Sequence, residues 1–259
     1  MFFESHAHYD DKRFDIDREE ILSKLEQNGI DYVVNVGADI KSSKESVIFS
    51  KKYSYIYSAV GVHPHYVDKM KESDLEILET LCKEEKVIAI GEIGLDFYYD
   101  NSPREKQRIW FARQLNLAKK LNLPVVIHSR EASQEVFDTL KETSLSDRDG
   151  AGAGVIHCYS ESLEMAKEYI KQGYYIGIGG VITFKNAKKL VNVVENIPLE
   201  SILLETDCPY LSPIPNRGER NDSTNLKYIA KAISEIKNIP LKEVARITTK
   251  NAIKLFLKK

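Results

Sequence analysis

The sequence predicts a (β/α)8 barrel, and three observations predict it. Short apolar runs recur eight times with amphipathic stretches between them. The length of 259 residues matches the ~250 typical of one such barrel. Residues of metal-ligand type stand at the downstream end of six of the runs, and one end of a parallel barrel is where chemistry collects.

A buried parallel strand reads as a short continuous apolar run. By that criterion strands lie near 2–6, 31–36, 55–61, 86–91, 123–128, 153–157, 174–178 and 201–206. Between them, Asp17–Leu25 carries apolar residues at helical spacing, and Leu75, Leu78 and Leu81 share one helical face. Gln107–Leu121 is the longest helical pattern, with Trp110 as a core residue and Pro103 suited to the first turn. Ser144–Gly154 reads as a glycine-bearing loop. Cys208–Asp222, with Pro209, Pro213 and Pro215, is longer than an ordinary connection, and long ordered loops tend to be functional. Residues 1–259 form a single barrel domain in this reading. An open doubly wound sheet is the competitor, but it binds ligands at one switch point. Here the candidates come from strands one, four, five, six and eight, which a closed ring brings together.

Hydrophobic residues make up 42% and charged residues 29%, the balance of a soluble globular protein. The net charge of -2 gives no global attraction to polyanions, so a nucleic-acid contact needs a local patch. No apolar run approaches the ~20 residues of a membrane helix, and no secretion signal is expected. Cys82, Cys158 and Cys208 are too few and too widely spaced for a disulfide framework, which points to the cytoplasm.

His6 and His8 are two apart, so in a strand they face the same way. With Glu92, His128, His157 and Asp207 they make four imidazoles and two carboxylates, a set suited to divalent ions such as Mg, Mn or Zn. Six ligands exceed one tetrahedral site and suit two ions about 3.5–4 Å apart with a shared carboxylate. The assignment is His6, His8 and Asp207 on one ion, His128 and His157 on the other, and Glu92 between them. Any one of these residues alone has a bland explanation, but six coincidences at strand ends do not. His63 either donates to a phosphate or leaving group or packs in its loop, and His65, past Pro64, is expected to point away. Arg130 and Arg217 are read as phosphate contacts, since guanidinium forks match phosphate oxygens. For Arg220 a surface salt bridge is equally open. Tyr159, Tyr98 and Tyr99 are candidate stacking platforms for a base.

The segments Ser5-His6-Ala7-His8-Tyr9-Asp10, Gly61-Val62-His63-Pro64, Gly91-Glu92-Ile93-Gly94-Leu95-Asp96, Pro124 to Arg130, His157-Cys158-Tyr159, Glu205 to Leu211 and Pro213 to Gly218 resemble the TatD family of metal-dependent hydrolases, within the amidohydrolase-like barrels. The likeness spans the chain. It implies a (β/α)8 barrel with the ligand set above, and divalent-metal-dependent DNase activity, exonucleolytic in some members. The chain departs from the family pattern at Glu4, where Asp is usual, at Gln134, where an acidic residue is usual, and near Ser223, where a Pro is usual.

The expected function is therefore a two-metal hydrolase, a deoxyribonuclease acting on phosphodiester bonds of single-stranded DNA. Water made acidic by the ions attacks phosphorus, with Asp207 as base and Glu92 bridging. The alternative is a metal-dependent esterase or deacylase, such as a D-aminoacyl-tRNA deacylase, because fold and ions do not fix the electrophile. A non-catalytic metal scaffold is a third reading, disfavoured by the complete ligand set.

Overall fold

The computed structural model describes residues 1–145 and 150–258. Residues 146–149 of the Ser144–Gly154 loop lie outside the described residues. The strands are β1 (Phe2–Ala7), β2 (Ile30–Val36), β3 (Ile56–Val60), β4 (Val87–Asp96), β5 (Val125–Arg130), β6 (Gly154–Ile156), β7 (Tyr174–Ile178) and β8 (Ile202–Leu204). They form one parallel sheet in the order β1 to β8. Helices α1 (Arg18–Lys24), α2 (Ile40–Lys52), α3 (Glu72–Leu81), α4 (Arg104–Leu121), α5 (Ser133–Thr143), α6 (Leu163–Lys171), α7 (Lys188–Asn196) and α8 (Leu226–Lys237) follow the strands in turn, and α9 (Leu241–Phe256) ends the described chain. This is a (β/α)8 TIM barrel.

Local chemistry sets the element ends. Asp39 caps α2 by accepting from the Ser42 N–H at 2.7 Å, while the Ser42 hydroxyl accepts from the Asp39 N–H at 2.8 Å, a reciprocal capping box. Pro103, expected inside the first turn of α4, is its N-cap instead, one residue earlier.

The barrel buries two layers of apolar side chains. The larger lies between strands and helices, with Leu22, Leu78, Phe111, Val136 and Ile229 among its members. The smaller fills the interior with Phe3, Val34, Ala59, Ile88, Val126, Val155, Tyr175 and Leu203, one from each strand. Ala252, Leu255 and Phe256 of α9 join this inner layer, and the Phe256 ring stacks on Phe3 with centroids 6.0 Å apart. The last helix thus plugs the end of the barrel opposite the candidate site.

Two register shifts decide what the other end presents. Between Glu4 and Ala7, β1 advances three residues while β2 advances two, from Val33 to Asn35. Between Ile90 and Ile93, β4 advances three while β5 advances two. Such bulges break strict alternation and re-aim side chains. The first spans His6 and the second spans Glu92.

The edge strands β1 and β8 meet through a short seam. The Ser5 hydroxyl donates to the Leu204 carbonyl at 2.9 Å, Asp207 N–H to the His6 carbonyl at 3.0 Å, and His8 N–H to the Cys208 carbonyl at 2.8 Å. The buried Glu4 carboxylate accepts from Thr206 N–H at 2.8 Å, Thr206 Oγ1 at 2.6 Å and His6 N–H at 3.2 Å. Among the described residues no helix is long and apolar enough to cross a membrane.

Phe256 is 4% exposed, and burying a phenylalanine in a close-packed core contributes about 3–5 kcal/mol over alanine. Phe256→Ala is expected to lower unfolding free energy by that amount, read by urea denaturation. A loss below about 1 kcal/mol would mean that α9 does not seal the barrel.

Candidate metal centre

The C-terminal ends of the strands open into a cleft of about 770 Å³ lined by His8, His63, His65, Glu92, Asp96, His128, His157 and Asp207. Glu92 lies at its centre, 4% exposed, and each of its oxygens faces a different group. Oε2 is 3.5 Å from His6 Nε2 and 3.6 Å from His8 Nε2. Oε1 is 2.8 Å from His157 Nε2, 2.9 Å from His128 Nδ1 and 3.4 Å from His63 Nε2. Asp207 Oδ1 joins the first group, 3.8 Å from His6 Nε2 and 3.4 Å from His8 Nε2. The six residues expected as ligands are brought together. They do not all stand at strand ends, however. Glu92 lies within β4, four residues before its end, His128 lies within β5, and Asp207 lies three residues beyond β8 with φ of 55°. The bulge in β4, rather than the end of the strand, delivers Glu92.

Tautomers follow from the outer partners. His8 Nδ1 faces the Val36 carbonyl at 2.8 Å. A carbonyl only accepts, so Nδ1 carries a hydrogen, and the neutral ring would turn its Nε2 lone pair inward. His128 Nε2 meets Asp96 Oδ2 at 3.0 Å. Asp96 is held well below the usual carboxylate range, because hydrogen bonds from His128, His65 and the Tyr99 N–H outweigh the effect of burial. His128 therefore donates from Nε2, and its neutral form would present the Nδ1 lone pair to Glu92. His63 is arranged the other way. Its Nδ1 accepts from the His65 N–H at 3.1 Å, so Nε2 carries the hydrogen and donates toward Glu92 Oε1. His63 is thus a proton donor on the rim of the second group.

The donor set fits cations. His6 Nε2 and His8 Nε2 lie 3.0 Å apart, so two inward nitrogens converge on one point. Ligand atoms on a tetrahedral ion with bonds of 2.0–2.2 Å are about 3.4 Å apart, and the first group spans 3.0 to 3.8 Å. The titration behaviour shows the same need for positive charge. Burial pulls His8 down, but the Asp207 and Glu92 carboxylates outweigh it and hold His8 at about 9. Burial pushes Glu92 up, yet His157, His63 and His128 carry it well below the usual range. Among the described residues, His6, His8 and Glu92, and separately His63, Glu92 and His128, offer ligand atoms within 4.8 Å of one another. Buried His and Glu clusters able to hold metal ions are therefore present.

Three residues of this region had no role in the sequence reading. Asp96 orients His128 and also binds His65 Nε2 at 2.8 Å. His65 thus lines the cleft instead of pointing away, because Asp96 at the end of β4 reaches across to it. Glu205 is fully buried, with Oε1 3.6 Å from His157 Nδ1 and accepting from the Cys158 N–H at 2.5 Å. A Cβ at Gly177 would stand 2.4 Å from Glu205 Oε2, so the glycine makes room for that carboxylate. Glu4 fastens the strand of His6 to that of Asp207, and burial pushes its carboxyl up to about 8. Asp96 and Glu205 each stand at the polar end of an apolar run, a signal that could have found them. Ser223, where the family pattern has a nearby proline, donates its N–H to the Tyr9 hydroxyl at 3.0 Å, which a proline could not do.

Of the substrate candidates, Arg130 and Arg217 have no carboxylate partner among the described residues. Arg130 lies over Tyr98 and Tyr99, with Cζ 4.3 and 4.7 Å from the ring centroids, and Arg217 over Phe184 at 4.4 Å. Arg220 is bound to Asp17. Tyr159 is corrected as a stacking platform. It is 3% exposed and its hydroxyl donates to the Ser162 carbonyl at 2.7 Å, because packing against α6 takes its ring into the core. Tyr98 and Tyr99, 55% and 53% exposed, keep ring surface open to solvent beside Arg130.

His63 is held down to about 4, chiefly by burial, with Glu92 opposing. The unfolded imidazole titrates near about 6.5. Between these values the unfolded chain binds one more proton, so this group removes stability as pH falls through that window, at up to about 1.4 kcal/mol per pH unit. In metal-free protein, His63→Asn is expected to flatten that part of the stability–pH curve. An unchanged slope in denaturation between pH 6.5 and 4 would show that His63 titrates normally.

The family described as TatD related DNase matches residues 3–257. The Bacillus subtilis (strain 168) protein YabD, described as an uncharacterized metal-dependent hydrolase, is 42% identical over 258 residues, 99% of each chain. The Escherichia coli (strain K12) protein YcfH, described in the same words, is 31% identical over 98% of this chain and 94% of its own. The crystal structure of YjjV, a TatD homolog from Escherichia coli K12, superposes with a TM-score of 0.92 at 32% identity, covering 100% of this chain and 98% of that one. With the barrel, the shared glutamate and the converging histidines already in place, the likeness extends from fold to centre: the chain belongs to the TatD-related DNase family and is a metal-dependent hydrolase.

Proposed function

We propose that the protein is a deoxyribonuclease that removes residues from an end of single-stranded DNA, using two divalent cations drawn from Mg, Mn and Zn. The observation that carries the reading is the shared carboxylate: Glu92 turns one oxygen to each of two inward-facing donor groups at the foot of a cleft. His6, His8 and Asp207 would hold one cation, His128 and His157 the other, with Glu92 between them. When bound, such a pair acidifies water and neutralises charge on a phosphate.

The remaining work belongs to the chain. Asp207 stays ionised because the hydrogen bond from His8 outweighs its burial, so it can take the proton of an attacking water. His63, with its hydrogen on Nε2, donates to an oxygen of the phosphate or the leaving group. The distribution of arginines supports a phosphate chain as substrate. Arg13, Arg18, Arg104, Arg108, Arg113, Arg220 and Arg246 each pair with a carboxylate. Arg130 and Arg217, both on loops or strand ends at the C-terminal face, pair with none among the described residues. Exposed Tyr66, Tyr99 and Tyr210 line the same cleft and suit unstacked bases. The three unpaired cysteines support work in the reducing cytoplasm.

Metal-reconstituted protein is expected to shorten end-labelled single-stranded DNA from one end while leaving simple esters and D-aminoacyl-tRNA intact. Cleavage of the esters alone would replace the reading with a deacylase. Asp207→Asn is expected to lower turnover by about 10²–10⁴-fold while elemental analysis still finds metal at the His128 group, and full activity would remove Asp207 as base. Asp96→Asn frees the outer nitrogen of His128 and is expected to weaken metal binding by about 10–100-fold, measured by calorimetric titration. Unchanged affinity would mean that Asp96 does not orient a ligand.

A further inference from the structure

A second pocket, of about 510 Å³, adjoins the metal cleft and shares Ser129, Arg130 and Ser160 with it. Its volume is in the range of small-molecule sites. The Glu161 carboxylate stands in it, accepting from the Ser129 hydroxyl at 2.5 Å and from the Ser133 hydroxyl. Ser129 is in β5 and Ser133 opens α5, so two rigid elements aim the carboxylate. An ionised carboxylate has about four acceptor positions, and the serines use two.

The charges in this pocket close no ion pair among the described residues, although Lys189 lies near enough to attract Glu161. Among the described residues neither Glu161 nor Glu131 has a cation within ion-pair distance, and neither Arg130 nor Lys189, which line the same pocket, has a carboxylate at that distance. Burial pushes the Glu161 carboxyl up, while the two serines and, more weakly, the charge of Lys189 pull it down. Keeping such a group without a cation costs stability, which favours a ligand that supplies what the protein withholds. That ligand must carry an anion for Arg130 and Lys189 and hydrogen-bond donors for Glu161. A nucleotide has both.

We propose that this pocket receives the nucleotide next to the scissile bond and that Glu161 reads the amino edge of its base. The inference rests on the nuclease reading above. Guanine offers a carboxylate two adjacent donors, N1–H and the 2-amino group, while cytosine and adenine each offer an amino group. Thymine offers only N3–H, flanked by two carbonyls whose lone pairs face those of the carboxylate. The subsite therefore prefers guanine and disfavours thymine. Tyr98 lines the pocket and is 55% exposed, so its ring can stack on the base while Arg130 holds the phosphate.

The test compares metal-loaded wild-type and Glu161→Ala protein on end-labelled single-stranded oligonucleotides. These differ only in the residue beside the scissile bond, on either side, which is guanine, thymine or abasic. Wild-type kcat/KM is expected to favour guanine over thymine by about tenfold, through KM and not kcat, with the same ratio in the affinity of metal-free protein for these oligonucleotides. In Glu161→Ala the ratio falls to about one. Ser133→Ala, which loosens the carboxylate and leaves its charge, gives an intermediate ratio and serves if the first variant melts early. A ratio of one in wild type, or an undiminished ratio in Glu161→Ala, overturns the subsite and leaves the nuclease standing. Failure of loaded wild type to cut any oligonucleotide overturns the nuclease reading and the subsite together.

Discussion

A single buried carboxylate faced by five imidazoles is the constraint from which the centre follows. Glu92 meets His6 and His8 through one oxygen and His63, His128 and His157 through the other. Inward lone pairs and carboxylate charge repel unless positive charge lies between them. The arrangement is stable in a low-dielectric interior only when protons or cations fill that role. Each neighbouring feature serves to hold it: Val36 and Asp96 fix tautomers, Glu205 backs His157, and Gly177 leaves the space that Glu205 occupies.

The barrel seam is part of the same device. Edge strands in a sheet expose unpaired backbone groups, and here β1 and β8 satisfy theirs partly through Glu4, whose carboxylate binds Thr206 and the His6 amide. His6 and Asp207 lie on opposite sides of that seam, so closing the barrel and assembling the first donor group are one event. The extra methylene of Glu4, relative to the aspartate usual in the family, lengthens the reach across this seam.

Charge is partitioned between body and mouth. Most arginines are tied to surface carboxylates, where they contribute little to stability. Arg130 and Arg217 have no carboxylate partner among the described residues, and Arg130 lines the metal cleft beside exposed Tyr66, Tyr99 and Tyr210.

Eight apolar runs, the helices between them and the six residues that converge at the centre were legible in the sequence, because burial of parallel strands and the donor chemistry of His, Glu and Asp are properties of residue type and spacing. The bulges at His6 and Glu92 were not, since a register shift depends on how two strands pair, not on either strand alone. His65 was misjudged for the same reason: its direction is set by Asp96, thirty-one positions away. Tyr159 and Tyr98 are both tyrosines beside the site, and only packing decides that one is buried and the other free. The amino-acid order by itself determined the architecture and which six side chains would be candidates for the centre. Which nitrogen of each imidazole points inward, which carboxylate is shared and which arginine stays unpaired were decided only in the folded molecule, because those outcomes depend on partners from distant strands meeting at atomic distance.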